Sequence, residues 1–262
     1  MTESIFEMDA DGRFVPTGAA LGPWSDQALH GGPPTMLLAR EIERFPADAE
    51  MFVSRLTVEL LRPVGRTPLA VTSRLVRPGR KVQLVEASLW NGPQEVARAT
   101  ALRIRHSQVE VPSTADPLPH PEPESVAPWS GGWRRGDAYH VIGVDIRGPE
   151  PGTGPAPGWA WFRLKLPLVP GEKPTPLIRI CAAADFPNGI SFVVDPRKTS
   201  FVNPDLNVFV IRPPVDEWVL VDARTWLETR GTGMAEGALY DRGGRIGRSM
   251  QSLIVESVTG GK

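Results

Sequence analysis

Asp185 is the residue whose type and position most readily do chemistry. It lies in Ala182-Ala183-Ala184-Asp185-Phe186-Pro187, at the end of a stretch with helical spacing. A carboxylate there meets the negative end of a helix dipole, and its small or apolar neighbours help to bury it; both features suit a general base. Asn203 and Gln251 are amides in stretches that otherwise read as apolar strands. A buried amide needs partners, and a water held against a carboxylate is one. The third place is His30-Gly31-Gly32-Pro33-Pro34. Paired glycines let a backbone pass close to a ligand, and a helix start offers N–H groups to an anion or a developing oxyanion. His30, Gly31 and Gly32 are therefore candidate substrate-binding residues. Taken singly, the same residues also fit a surface aspartate ending a helix, ordinary polar strand positions and a tight turn.

Other catalytic signatures are absent. Gly247-Arg248-Ser249-Met250-Gln251 fails the last position of a nucleophile elbow. Gly152-Thr153-Gly154 and Gly231-Thr232-Gly233 read as turns, because neither completes a phosphate-binding spacing. His30, His106, His120 and His140 show no metal-ligand spacing, so neither a metal nor another cofactor is expected. Cys181, the single cysteine, has no partner for an internal disulfide and reads as inert core on the buried side of its helix.

The elements that must position these residues come as two matching sets. Residues 55–104 and 205–254 align at an offset of 150 without an insertion; Leu56, Arg62-Pro63, Arg74, Glu86 and Arg98 meet Leu206, Arg212-Pro213, Arg224, Glu236 and Arg248. A duplicated unit follows. In the first copy Pro33 and Pro34 open a helix that Pro46 ends, and strands are predicted at 52–61, 69–76, 82–90 and 95–105, with Asn91-Gly92 as a hairpin turn. In the second, Thr175 caps a helix opened by Pro176 and closed by Pro187 and Asn188-Gly189. Strands are predicted at 203–211, 218–226, 233–240 and 245–255. Further strands are expected at 138–146 and 159–168, ahead of the second helix, as residues 5–14 stand ahead of the first. A helix wrapped by a curved antiparallel sheet, present twice, is the α+β double hot-dog arrangement, and two such sheets can pair edge to edge. The expected organisation is a first unit at 1–110, a Pro-rich tether over the surface at 111–135 and a second unit at 136–262.

Composition excludes several classes. Among 262 residues, 29 basic and 30 acidic side chains nearly cancel, which argues against nucleic acid or an anionic membrane as the main partner. A hydrophobic fraction of 41% supports a real core. No apolar run approaches the ~18–20 residues of a membrane span. The acidic N-terminus lacks a signal-peptide pattern, so a cytoplasmic protein is expected, with self-association through its sheets.

At these residues the sequence resembles the acyl-CoA thioesterase II (TesB-like) family of double hot-dog proteins. The resemblance is carried by Gly22-Pro23-Trp24 with His30-Gly31-Gly32-Pro33-Pro34, by Trp161-Phe162-Arg163-Leu164 and by Ala183-Ala184-Asp185-Phe186. It continues through Asn203-Pro204-Asp205-Leu206, Arg212-Pro213-Pro214 and Gly247-Arg248-Ser249-Met250-Gln251-Ser252-Leu253. It implies an acyl-CoA substrate and hydrolysis to a free acid and CoA. The family's catalytic set falls by position on Asp185, Asn203 and Gln251. Asn203 departs from it, since an amide replaces the family's Thr or Ser hydroxyl. That departure keeps a second expectation open, a non-catalytic acyl-ligand binding protein on the same fold. A third, an enoyl-thioester hydratase or dehydratase, calls for a histidine beside the aspartate, and none lies near Asp185 in the sequence.

Overall fold

The computed structural model describes residues 3–47, 49–130, 136–150 and 157–258. Gly152-Thr153-Gly154 therefore lies outside the described residues. Three helices and thirteen strands follow in chain order: β1 Phe6–Met8, β2 Phe14–Pro16, α1 Gly32–Arg44, β3 Met51–Glu59, β4 Leu69–Arg77, β5 Val82–Asn91, β6 Gln94–Arg105, β7 Val144–Arg147 and β8 Gly158–Leu164. They continue with α2 Pro176–Ala184, α3 Pro187–Ile190, β9 Thr199–Val202, β10 Asp205–Val210, β11 Val219–Glu228, β12 Thr232–Asp241 and β13 Gly244–Ser257. No helix is long and apolar enough to cross a membrane among the described residues.

The strands form one antiparallel sheet in the order β1-β2-β4-β5-β6-β3-β10-β13-β12-β11-β8-β7, with β9 beside β13. Read from the middle outward, each strand of one half faces its counterpart in the other, and the seam is β3 against β10. In that ladder Thr57 stands opposite Asn207, Leu56 opposite Val208 and Val58 opposite Leu206. Thr57 and Asn207 are themselves separated by the 150-residue offset, so a local two-fold axis passes between them. The same offset relates the bulges at Leu89/Trp90 and Leu239/Tyr240. A bulge displaces one residue and increases local twist. Both copies thus curl at the same place, around a core that includes Leu56, Val58, Leu206 and Val208.

α1 forms as its sequence predicts. Pro33 and Pro34 occupy its first turn, and Met36, Leu37, Leu38, Ala39 and Ile42 are buried. Phe45 turns extended ahead of Pro46, as a residue preceding proline prefers. α2 is capped by Thr175, whose hydroxyl accepts from the Ile178 N–H at 3.2 Å. Pro187 ends it, since a proline inside the helix would clash with the Ala183 carbonyl. It also opens the short α3, which was not expected. α1 and α2 pack together.

Two other expectations are corrected. The stretch 138–146 begins with a single wide turn, Tyr139–Gly143, and only its last residues form β7. The strand expected at 203–211 forms only as β10; Asn203 and Pro204 lie in a break between it and β9, a strand that was not expected, and Pro204 offers no N–H to continue the ladder. The Pro-rich stretch, expected as a tether over the surface, makes side-chain contacts with the second half of the chain. Arg245 binds Asp116 at 3.0 Å, His120 stacks on Trp159 and reaches Asp222 at 3.1 Å, and Arg242 binds Glu122 and Glu124.

The β12–β13 turn rests on a buried charge. Arg212 donates to both carboxylate oxygens of fully buried Asp241 at 2.6 Å. Desolvation pushes the Asp241 carboxyl up, but Arg212 and the Val215 and Gly243 N–H groups outweigh it and hold it below its usual range. Arg212→Ala is expected to cost about 2–4 kcal/mol in urea unfolding at neutral pH, because an unpaired buried carboxylate remains. A carboxylate with a depressed native value stabilises above its unfolded value and loses that stabilisation as pH falls through the native one. The gap between variant and parent should therefore shrink below about pH 4.

Candidate active site

The jog between α2 and α3 places Asp185. It is the residue that ends α2, and Phe186 and Pro187 then turn the chain into α3. The carboxylate is 5% exposed. A buried carboxylate must be surrounded by donors. Oδ1 accepts from Asn203 Nδ2 at 2.9 Å and from Gln251 Nε2 at 2.9 Å. Gln251 also donates to the Asp185 carbonyl at 3.3 Å, while its own Oε1 accepts from the Asn188 N–H at 3.4 Å. Asn203 sits in the β9–β10 break, which leaves its amide free to reach Asp185 and the Asp205 carbonyl. The structure thus brings Asp185, Asn203 and Gln251 together.

The second oxygen, Oδ2, faces the other half of the chain. His30 Nδ1 lies 3.0 Å from it, although 155 residues separate the two in sequence. The absence of a nearby histidine in the sequence is thereby corrected in space. His30 Nδ1 also stands 3.1 Å from the Gly32 N–H. One ring nitrogen cannot accept from Gly32 and donate to Asp185 at once. Two acceptors do not rest 3.0 Å apart without a proton between them; opposite an ionised Asp185 that proton sits on Nδ1, which then does not accept from Gly32. The other ring nitrogen, Nε2, lies on the opposite edge. A carboxylate offers about four acceptor positions. Oδ1 uses two and His30 a third, which leaves one on Oδ2.

Gly31 explains itself at this contact. Its backbone is helical, so no unusual φ demands glycine. A Cβ there would stand 2.5 Å from Asp185 Oδ2. Tyr139, supplied by the wide turn that sequence reading took for a strand, donates its hydroxyl to the Ala182 carbonyl at 3.0 Å and so steadies the last turn of α2. Burial, and then the Asp185 charge, push its phenol well above its usual range, so it remains a neutral donor. Cys181 is fully buried in the same helix; burial pushes its thiol well up, as expected of inert core.

Asp185 and His30 open onto a cavity of about 450 Å³ with apolar and aromatic walls that include Trp24, Phe186, Phe192 and Phe201. Trp24 is 60% exposed and stacks toward His30 at a centroid distance of 6.2 Å. The arrangement can hold an apolar group in the cavity and present a fixed carboxylate to its polar end. Sequence reading missed Tyr139, Asn188 and Trp24 as parts of this arrangement. For Trp24 a signal existed, an exposed aromatic in a Gly-Pro-Trp stretch just before the His-Gly-Gly run. Gly31→Ala is expected to displace the carboxylate, to cost about 1–3 kcal/mol of stability and to depress activity at least tenfold. Thermal unfolding and substrate turnover of the purified variant check both.

Known proteins supply an independent comparison. Residues 112–255 match the family model described as the acyl-CoA thioesterase C-terminal domain, and residues 20–104 match the acyl-CoA thioesterase N-terminal domain. Among solved structures, the chain is similar to the acyl-CoA thioesterase II TesB2 of Mycobacterium marinum, with 19% identity and a TM-score of 0.60 over 82% of this chain and 84% of that one. It is similar to the tesB protein of Mycobacterium avium subs paratuberculosis, with 17% identity and a TM-score of 0.64 over 90% and 94%. A hot-dog-fold protein of unknown function from Alicyclobacillus acidocaldarius gives 15% identity and a TM-score of 0.73 over 95% of each chain. At such identities the likeness is one of fold. No curated protein matches the sequence. The two family models together take in most of both halves, including the helix start of one and the aspartate of the other, and on that match the chain belongs to the acyl-CoA thioesterase family.

Proposed function

We propose that this thioesterase hydrolyses acyl-CoA thioesters with Asp185 as the general base. One observation carries the reading: a buried carboxylate with one oxygen fixed by two amides and one acceptor position left on the other, at the mouth of an apolar cavity. The acyl chain lies in the cavity. A water bound at Asp185 Oδ2 loses its proton to that oxygen as it bonds to the thioester carbonyl carbon. The Gly31 N–H at the start of α1 stabilises the oxyanion; Pro33 and Pro34 have no N–H, and those of His30 and Thr35 are bonded to carbonyls. The tetrahedral intermediate collapses, the C–S bond breaks with its electron pair on sulphur, and the proton leaves Asp185 for the thiolate or for solvent. Asn203 and Gln251 act by orienting Asp185. An amide does this as a hydroxyl does, which answers the departure at position 203.

Asp185→Asn is expected to lower thiol release from an acyl-CoA by about 10²–10⁴-fold with little change in melting temperature. Full activity in that variant removes the assignment. Asn203→Ala should cost roughly ten- to a hundredfold, the value of one hydrogen bond to a charged group.

The His30–Asp185 contact at 3.0 Å favours a second reading, reversible hydration of an enoyl thioester. There His30 Nε2 and Asp185 would handle the proton and the water. Loss of enoyl-thioester absorbance without thiol release separates it from hydrolysis. His30→Ala abolishes that reaction, whereas hydrolysis through Asp185 keeps a measurable part of its rate.

A further inference from the structure

The local two-fold axis between β3 and β10 carries the Asp185 site onto a second place in the same chain. The helix start of each half meets an acid near the end of the other half's helix. Gly31 at the start of α1 lies against Asp185, and Thr175 at the start of α2 donates its hydroxyl to Glu43 Oε2 at 2.6 Å. Beside Glu43 is a separate cavity of about 240 Å³. Three successive residues of its wall, Glu50, Met51 and Phe52, are the 150-residue counterparts of Ser200, Phe201 and Val202, which line the Asp185 cavity. Leu177 and Ile180 of α2 close its apolar side.

The two places differ where the chemistry lies. The counterparts of Asn203 and Gln251 are Val53 and Ala101, and neither offers a donor. Glu43 accepts the Thr175 hydroxyl in place of the two amides that fix Asp185. Arg103 also lines this cavity, 3% exposed, with Nη1 on the Ile42 and Phe45 carbonyls at 3.2 and 2.8 Å. Its Nε has no hydrogen-bond partner among the described residues. Three wall positions recur and an acid again stands near a helix end, but Glu43 is exposed where Asp185 is buried, a buried cation is added and the two amides are gone.

We infer that the Glu43 cavity is a second binding site for the acyl end of an acyl thioester, one that holds the ligand without hydrolysing it. It has about half the volume of the Asp185 cavity and takes shorter acyl chains. Each chain then binds two acyl groups and cleaves one. The inference rests on the acyl-thioester reading of the Asp185 site.

A binding count tests it. The probe is 2-oxoheptyl-CoA, the analogue of hexanoyl-CoA with a methylene between sulphur and carbonyl, which cannot be hydrolysed. Titration calorimetry on the full chain should give two equivalents. Met51→Trp and Glu43→Arg, both at partly or fully exposed positions, should each remove the weaker equivalent and leave hexanoyl-CoA hydrolysis within twofold of the parent. One equivalent in the parent, or two that survive both substitutions, overturns the inference. Failure of the acyl-thioester reading itself would leave no equivalent at either site, so the two failures are distinguishable.

Discussion

The pairing of β3 with β10 decides where everything else can be. Five residue pairs centred on Thr57 and Asn207 join the edge strands of two curled sheets and relate the halves by a two-fold axis. Each half's helix lies on its own sheet and against the other helix, so each helix start is delivered to the far end of its neighbour. A site assembled from a helix start and a helix end is therefore always shared between the halves. His30 and Gly31 come from the first, and Asp185, Asn203 and Gln251 from the second.

Within that frame the buried charge dictates the details. Asp185 leaves water because Pro187 breaks the helix behind it, and its donors must then come from the protein. Gln251 supplies one from β13, where it is 1% exposed. Asn203 supplies another from a break that Pro204 creates. His30 supplies the third, in the tautomer that the contact requires. Three of the four acceptor positions are filled by fixed groups, so the carboxylate is aimed, and its remaining capacity points in one direction.

Much of this was legible in the chain itself. Periodicity and turn chemistry placed α1, α2 and the hairpins at Asn91-Gly92 and Asp241–Gly244 nearly to the residue, since positive-φ glycines and helix-opening prolines are local signals. The offset of 150 foretold the symmetric sheet. Asp185, Asn203 and Gln251 stood out as polar residues among apolar neighbours, and the family resemblance joined them into one set. The proximity of His30 to Asp185 was not legible, because it depends on how two helices cross and no local pattern encodes that. The wide turn at Tyr139–Gly143 was hidden by the same apolar run that made 138–146 look like a strand. The restart of the chain as α3 escaped because Pro187 ends one helix and begins another with equal ease.

The fusion of two copies into one chain has a consequence for how such a site can change. In a dimer of identical subunits every substitution occurs twice, on both sides of the axis. Here Gly31 and Thr175, or Gln251 and Ala101, occupy related positions and differ freely. One end of the molecule gathers two amides and an imidazole around Asp185, while the related end carries an exposed glutamate and a buried arginine. Covalent linkage thus released a symmetric architecture from having to be symmetric in its chemistry.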